Sequence, residues 1–129
     1  MDTKSLLAKW HEVALSHEEA KVAALLAEDA VFESPVVHTP QRGKAITTQY
    51  LASAGHVFAN SQFHYVGEWH AERSVILEFK AEIDGIAING IDMIHWNEAG
   101  LIDNFKVMVR PLKAVSMLHA KMGERLSKA

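Results

Sequence analysis

An aspartate stands alone in an apolar stretch of the chain, Ile91-Asp-Met-Ile94. Burial among apolar groups disfavours the charged form of a carboxyl, so such an acid is pushed toward protonation near neutral pH. Protonated, it donates a hydrogen bond or a proton; ionised, it accepts one. A lone acid in an apolar strand needs a reason to be there. Asp92 is therefore the first candidate for catalysis or ligand anchoring, the alternative being a carboxylate that caps a local turn or faces solvent. His38, between Pro35 and Pro40, is the second candidate. Imidazoles titrate near neutrality and serve as bases; the plainer reading is a histidine on a surface loop.

The other histidines invite a metal reading that their spacing does not support. His64 and His70 fall on one strand face, too far apart for a shared ion. His95 is three positions from Asp92 and should face the other side of the strand. His11, His17, His56 and His119 fall at helix positions without a zinc-like spacing. The chain has eight histidines and no cysteine, which excludes disulfides, thiolate catalysis and cysteine-ligated metals. No metal and no cofactor are expected.

The elements that must position Asp92 follow from periodicity. Residues 3–15 read as a helix with Leu6, Leu7, Trp10, Val13 and Ala14 on one face. Ser16 and Glu19 have capping-box spacing for a second helix, whose apolar face is Val22, Ala23, Leu25 and Leu26. A short strand spans about Ala30 to Ser34, and Pro35, Pro40 and Gly43 mark a loop. Residues 44–58 form a third helix, which Gly55 weakens. The period then changes to two: Phe63, Tyr65, Gly67 and Trp69 alternate, and Val75, Leu77, Phe79, Ala81 and Ile83 alternate with polar neighbours. Asp84-Gly85 is a hairpin turn signal. A strand from about Ile86 to Trp96 holds Asn89-Gly90, readable as a bulge. Leu101 to Val109 is the last strand. Leu112, Val115, Leu118, Met122 and Leu126 make a closing amphipathic helix. Its charged face, with Lys113, Lys121, Glu124, Arg125 and Lys128, reads as solvated surface.

At 129 residues, 49% of them hydrophobic, the chain suits one domain, residues 1–129, with a real core. A net charge of -3 argues against nucleic acid as a partner. No apolar run approaches a membrane span, and the N-terminus lacks a signal-peptide layout, so a cytoplasmic protein is expected. Consecutive hairpins imply a curved antiparallel sheet over helices, an α+β layout. Helices cannot fill a strongly bent sheet, and the gap is a natural ligand pocket.

This order of elements resembles the NTF2-like superfamily, in its SnoaL-like and ketosteroid-isomerase-like branch. The carrying segments are Leu26-Ala-Glu-Asp-Ala-Val-Phe-Glu-Ser-Pro35, Gly43-Lys-Ala-Ile46 and Asn97-Glu-Ala-Gly-Leu-Ile102. The resemblance implies a cone-shaped, cystatin-like fold. It also implies a role for Asp92, since ketosteroid isomerases keep a protonated aspartic acid at the matching position as a hydrogen-bond donor to the substrate oxygen. The family's base precedes the proline of the first strand, where this chain has Ser34, and serine takes no proton from carbon without a base beside it. The isomerase's helical tyrosine has no match; Trp10 lies near its place. Glu33 should point away from Ser34's side. The resemblance further implies a homodimer through the outer sheet face, for which His64, Val66, His70, Ile76, Met93, His95 and Met108 are candidates, with Trp69 and Trp96 facing either way.

Trp10, Ser34, Tyr50, Phe58, Phe63, Phe79 and Phe105 are the candidate pocket lining; core packing is the alternative for most of the aromatic rings. Three functions stay open. The first is a binder of a small apolar molecule in the central cavity. The second is a cofactor-independent isomerase, cyclase or dehydratase on a carbonyl-containing apolar substrate, with Asp92 and His38 catalytic. The third is a dimerising subunit without a ligand.

Overall fold

The computed structural model describes residues 2–16 and 18–127; His17 and Lys128 lie outside the described residues. Helix α1 spans Thr3–Val13, two residues shorter than its periodicity suggests. Asp2 caps it, its carboxylate accepting from Ser5 N at 2.8 Å. Leu6, Leu7 and Trp10 form the buried face.

The second helix is the first correction. Helix α2 is only Glu19–Ala23, and no side chain caps it. Ser16 accepts from the nearby Glu18 N–H at 3.2 Å instead of forming a capping box. Leu25 and Leu26 do not continue the helix. Ile102 N donates to Leu25 O at 2.8 Å, and strand β1 runs over Leu26–Glu33, four residues earlier than expected. A tertiary pairing partner has overridden a helical spacing.

Strand β2, Gln41–Arg42, pairs with β1. Gly43, at φ 115, turns the chain into helix α3, Lys44–Phe58. Three hairpin-linked strands and a fourth follow: β3 His64–Ala71, β4 Ser74–Ile83, β5 Ile86–Trp96 and β6 Ile102–Arg110. Helix α4, Leu112–Ser127, closes the chain. Asp84 and Gly85 both have positive φ, 52° and 76°, as a tight hairpin turn requires.

The six strands form one curved sheet in the order β2-β1-β6-β5-β4-β3. It is mixed rather than antiparallel, because β1 runs parallel to β6. Hairpins dictate antiparallel neighbours only for strands they join, and no hairpin joins β1 to β6. Val75, Leu77, Phe79, Ala81, Ile88, Ile94 and Phe105 are buried on the inner face, against α1, α3 and α4.

Two further expectations change. Asn89-Gly90 is not a bulge: the β4–β5 register runs unbroken through it. Gly90 is needed for close approach. A Cβ there would lie 2.5 Å from Phe79 Cζ and 2.7 Å from Met108 O. A register shift does occur in β3, between Tyr65 and Gly67. It reverses the alternation, so Tyr65 sits opposite inner Phe79 while Trp69 sits opposite outer Ile76. It also separates His64, opposite Lys80, from His70, opposite Val75, onto different faces.

Candidate functional site

The inner face and the helices line a partly open cavity of about 260 Å³. Each wall comes from a different element. Trp10 comes from α1, Phe32 and the turn Ser34–Val37 from the end of β1, and Tyr50, Leu51, Ala54 and Phe58 from α3. Phe63, Tyr65, Phe79, Phe105, Val107 and Val109 come from the sheet and its approach, and Leu118, His119, Met122 and Leu126 from α4. All seven aromatic and serine positions expected from sequence line it. The rings interlock: Phe63 stacks on Phe79 at 4.7 Å, Phe58 meets Phe79 edge-on at 5.7 Å, and Phe32 lies 5.2 Å from Tyr50. Such contacts fix the shape of a largely apolar chamber.

Asp92 opens into this chamber and is 6% exposed. Its strand neighbours are Leu77 on β4 and Val107 on β6, so the sheet offers it no charge partner. Burial pushes its carboxyl up to about 7, and a hydrogen bond from Tyr65 partly opposes the rise. The Tyr65 hydroxyl donates to Asp92 Oδ2 at 2.7 Å, and Trp10 Nε1 donates to the same hydroxyl at 3.1 Å. Burial, followed by the nearby Asp92 charge, pushes the Tyr65 phenol above its ordinary value. Tyr65 therefore serves as a hydrogen-bond donor rather than as a proton donor near neutral pH. Asp92 Oδ1 has no hydrogen-bond partner among the described residues. It is the carboxyl oxygen left open toward the cavity.

His38 does not join the site. It is exposed on the loop and absent from the cavity wall. The loop between Pro35 and Pro40 turns it outward, while Val36 and the partly exposed Val37 border the cavity. Ser34 lines the cavity, but its oxygen accepts from Val36 N at 3.0 Å and Val37 N at 3.3 Å. It shapes the wall by stapling the turn. Glu33 points away, toward Lys106 at 3.7 Å. His95 likewise faces the outer side, its Nδ1 2.6 Å from Asp103. Trp96 is 2% exposed and belongs to the core, not to an interface, whereas Trp69 is 57% exposed. Among the described residues no group of three His, Asp or Glu side chains is placed to hold a metal ion.

Two polar residues of the cavity were not singled out from sequence. Tyr65 was visible as a tyrosine in an apolar alternation, but its reach across β4 to Asp92 depends on the bulge after it. His119 follows buried Leu118 on α4 and sits exposed at the cavity's edge. A helical histidine carries no local signal of what its helix will close over.

No protein-family model matches the chain, and no curated protein sequence matches it. Solved structures do. The chain is similar to a steroid delta-isomerase from Pseudomonas aeruginosa, with 35% identity over 97% of this chain and 91% of that one and a TM-score of 0.90. It is also similar to an uncharacterized protein with a cystatin-like fold from Silicibacter pomeroyi, with 33% identity, 93% and 84% coverage and a TM-score of 0.86. An NTF2-like protein of unknown function from Cytophaga hutchinsonii shares the fold at 16% identity, 88% and 95% coverage and a TM-score of 0.64. A curved mixed sheet closed by helices over an apolar chamber defines the NTF2-like, cystatin-like class. This chain belongs to that family and is related to its ketosteroid-isomerase-like proteins.

Proposed function

We propose that the chain binds a small, largely apolar molecule in its central cavity, anchored by one oxygen on Asp92. The observation that carries this reading is an acid with a free carboxyl oxygen inside an aromatic chamber. Near neutral pH the acid is divided between two forms. The protonated form donates to a carbonyl, and the ionised form accepts from a hydroxyl.

A second reading is cofactor-independent proton transfer on a carbonyl-containing apolar substrate. The likeness to a steroid delta-isomerase and the presence of His119 at the cavity's edge favour it. Against it, Ser34 stands where the family's base belongs, and its oxygen is committed to two backbone N–H groups. Binding is therefore the reading we put first.

Calorimetric titration with a bicyclic aromatic alcohol and its ketone counterpart, 2-naphthol and 2-tetralone, tests the binding reading. Both should bind, and Asp92→Ala should weaken them roughly tenfold or more through the lost hydrogen bond. Equal affinity for the two proteins would remove Asp92 from the site. Turnover of an unsaturated ketone, abolished by Asp92→Asn, would move the second reading ahead. For the outer sheet face, where Trp69 and Met108 are exposed, the partner we propose is a second copy of the chain. Sedimentation should then give a dimer that Trp69→Glu splits.

A further inference from the structure

An indole N–H donates and has no acceptor capacity. That of Trp10 reaches the Tyr65 hydroxyl oxygen at 3.1 Å, so the one Tyr65 proton cannot be spent on α1. The proton goes to Asp92 Oδ2 at 2.7 Å. Trp10 is 6% exposed, and its ring lies 5.0 Å from that of Phe105, so the indole is held where it is. We propose that Trp10 is a positioning residue for the acid of the cavity: it fixes the direction of the Tyr65 hydroxyl and leaves Asp92 Oδ1 as the anchor for a ligand oxygen.

The inference rests on the cavity being a ligand site and adds what chemistry that site takes. With Tyr65 committed to Asp92, a ligand oxygen at the inner end shares one hydrogen bond with Asp92, received from the acid form or donated to the ionised form. The acid form suits a ketone, ester or amide oxygen; the ionised form suits an alcohol or phenol. A group needing two donors on one oxygen finds only one here, unless Tyr65 is released from Asp92.

The Trp10 contact also tunes the acid. A hydroxyl that accepts a hydrogen bond becomes a better donor. The Trp10 N–H acts on Tyr65 in that sense, opposing the upward push of burial on the phenol. A stronger Tyr65 donor favours ionised Asp92. Removing the indole N–H therefore makes Asp92 hold its proton to higher pH. The other titratable groups facing this network are few. His11 of α1 has its ring 5.4 Å from the Tyr65 ring, and Tyr50 of α3 and His119 of α4 line the same cavity. The strand partners Leu77 and Val107 carry no charge.

The test is the pH titration of the Asp92 carboxyl carbon by NMR, on ligand-free protein. Four chains are compared: unaltered, Trp10→Phe, Tyr65→Phe and the double variant. Trp10→Phe should raise the midpoint by about half a pH unit or more. Tyr65→Phe should raise it further, and Trp10→Phe should add nothing in the Tyr65→Phe background, because its effect travels through Tyr65. His11, Tyr50 and His119 are retained in all four chains. An unchanged midpoint in Trp10→Phe, or the same shift in both backgrounds, overturns the proposal. Should phenylalanine loosen the core, the benzothienyl analogue of tryptophan at position 10 keeps the shape and lacks only the N–H. The titration needs no ligand. Its failure is thus distinct from a failure of 2-naphthol and 2-tetralone to bind, which would sink the ligand reading and leave the network standing.

Discussion

Asp92→Asn should stabilise the protein increasingly as pH rises. The unfolded carboxyl titrates near 3.8 and the folded one near 7, so the folded state holds this proton more tightly. Stability linked to Asp92 is then fully present below pH 3.8 and is lost as pH rises through 7. The full interval, 7 minus 3.8, is worth about 4 kcal/mol at roughly 1.4 kcal/mol per unit. Between pH 5 and pH 8.5 only the part from 5 to 7 is traversed, which leaves about 3 kcal/mol. That is a large share of the roughly 5–15 kcal/mol that holds an ordinary domain folded. Asparagine keeps the shape and an oxygen for the Tyr65 hydroxyl, and it carries no charge at any pH. Urea unfolding of both proteins at several pH values isolates the term, since every other group titrates in both and cancels. The stability difference should grow by about 3 kcal/mol in favour of asparagine between pH 5 and 8.5. A difference that stays flat over that range would refute the argument that burial governs this acid.

Three further outcomes follow from the packing. Gly90→Ala should cost about 2 kcal/mol in urea unfolding, because its Cβ meets the Phe79 ring and the rigid Met108 carbonyl at under 3 Å; a neutral result would mean that the two strands can part there. Ser34→Ala should lower stability by about 1 kcal/mol through the loss of its two backbone hydrogen bonds. It should leave the midpoint of Asp92 in place, as the carboxyl NMR titration would check. His38→Ala should change stability by less than about 0.5 kcal/mol and leave 2-naphthol affinity unaltered in calorimetry, as befits an exposed loop residue.

The strongly periodic segments were the legible ones. Val75, Leu77, Phe79 and Ala81 alternate because one face of β4 is core and the other is not. The Asp84-Gly85 turn was equally plain, since few residue pairs accept two positive φ values. Element boundaries were less so. Leu25 and Leu26 satisfy a helical spacing locally, but the pairing with Ile102 draws them into a strand. Gly90 illustrates the same limit: a glycine in a strand signals either a bulge or a close approach, and only the Phe79 ring above it decides.

Sequence alone singled out Asp92 as a solitary acid in an apolar strand, because Ile91, Met93 and Ile94 surround it; it left open whether the carboxyl faces a pocket or solvent. It also offered Trp10, Tyr50, Phe58, Phe63, Phe79 and Phe105 as candidate walls of the chamber, with core packing as the alternative for most of them. Tertiary structure alone decided what the acid touches. The extra residue in β3 settles which side Tyr65 takes, and α1 brings Trp10 to its hydroxyl across 55 positions of chain. The loop after Ser34 turns His38 out, and α4 brings in His119. Side-chain type and spacing along the chain set which residues are buried. The contacts among buried polar groups arise where separate elements meet, and no local period encodes that meeting.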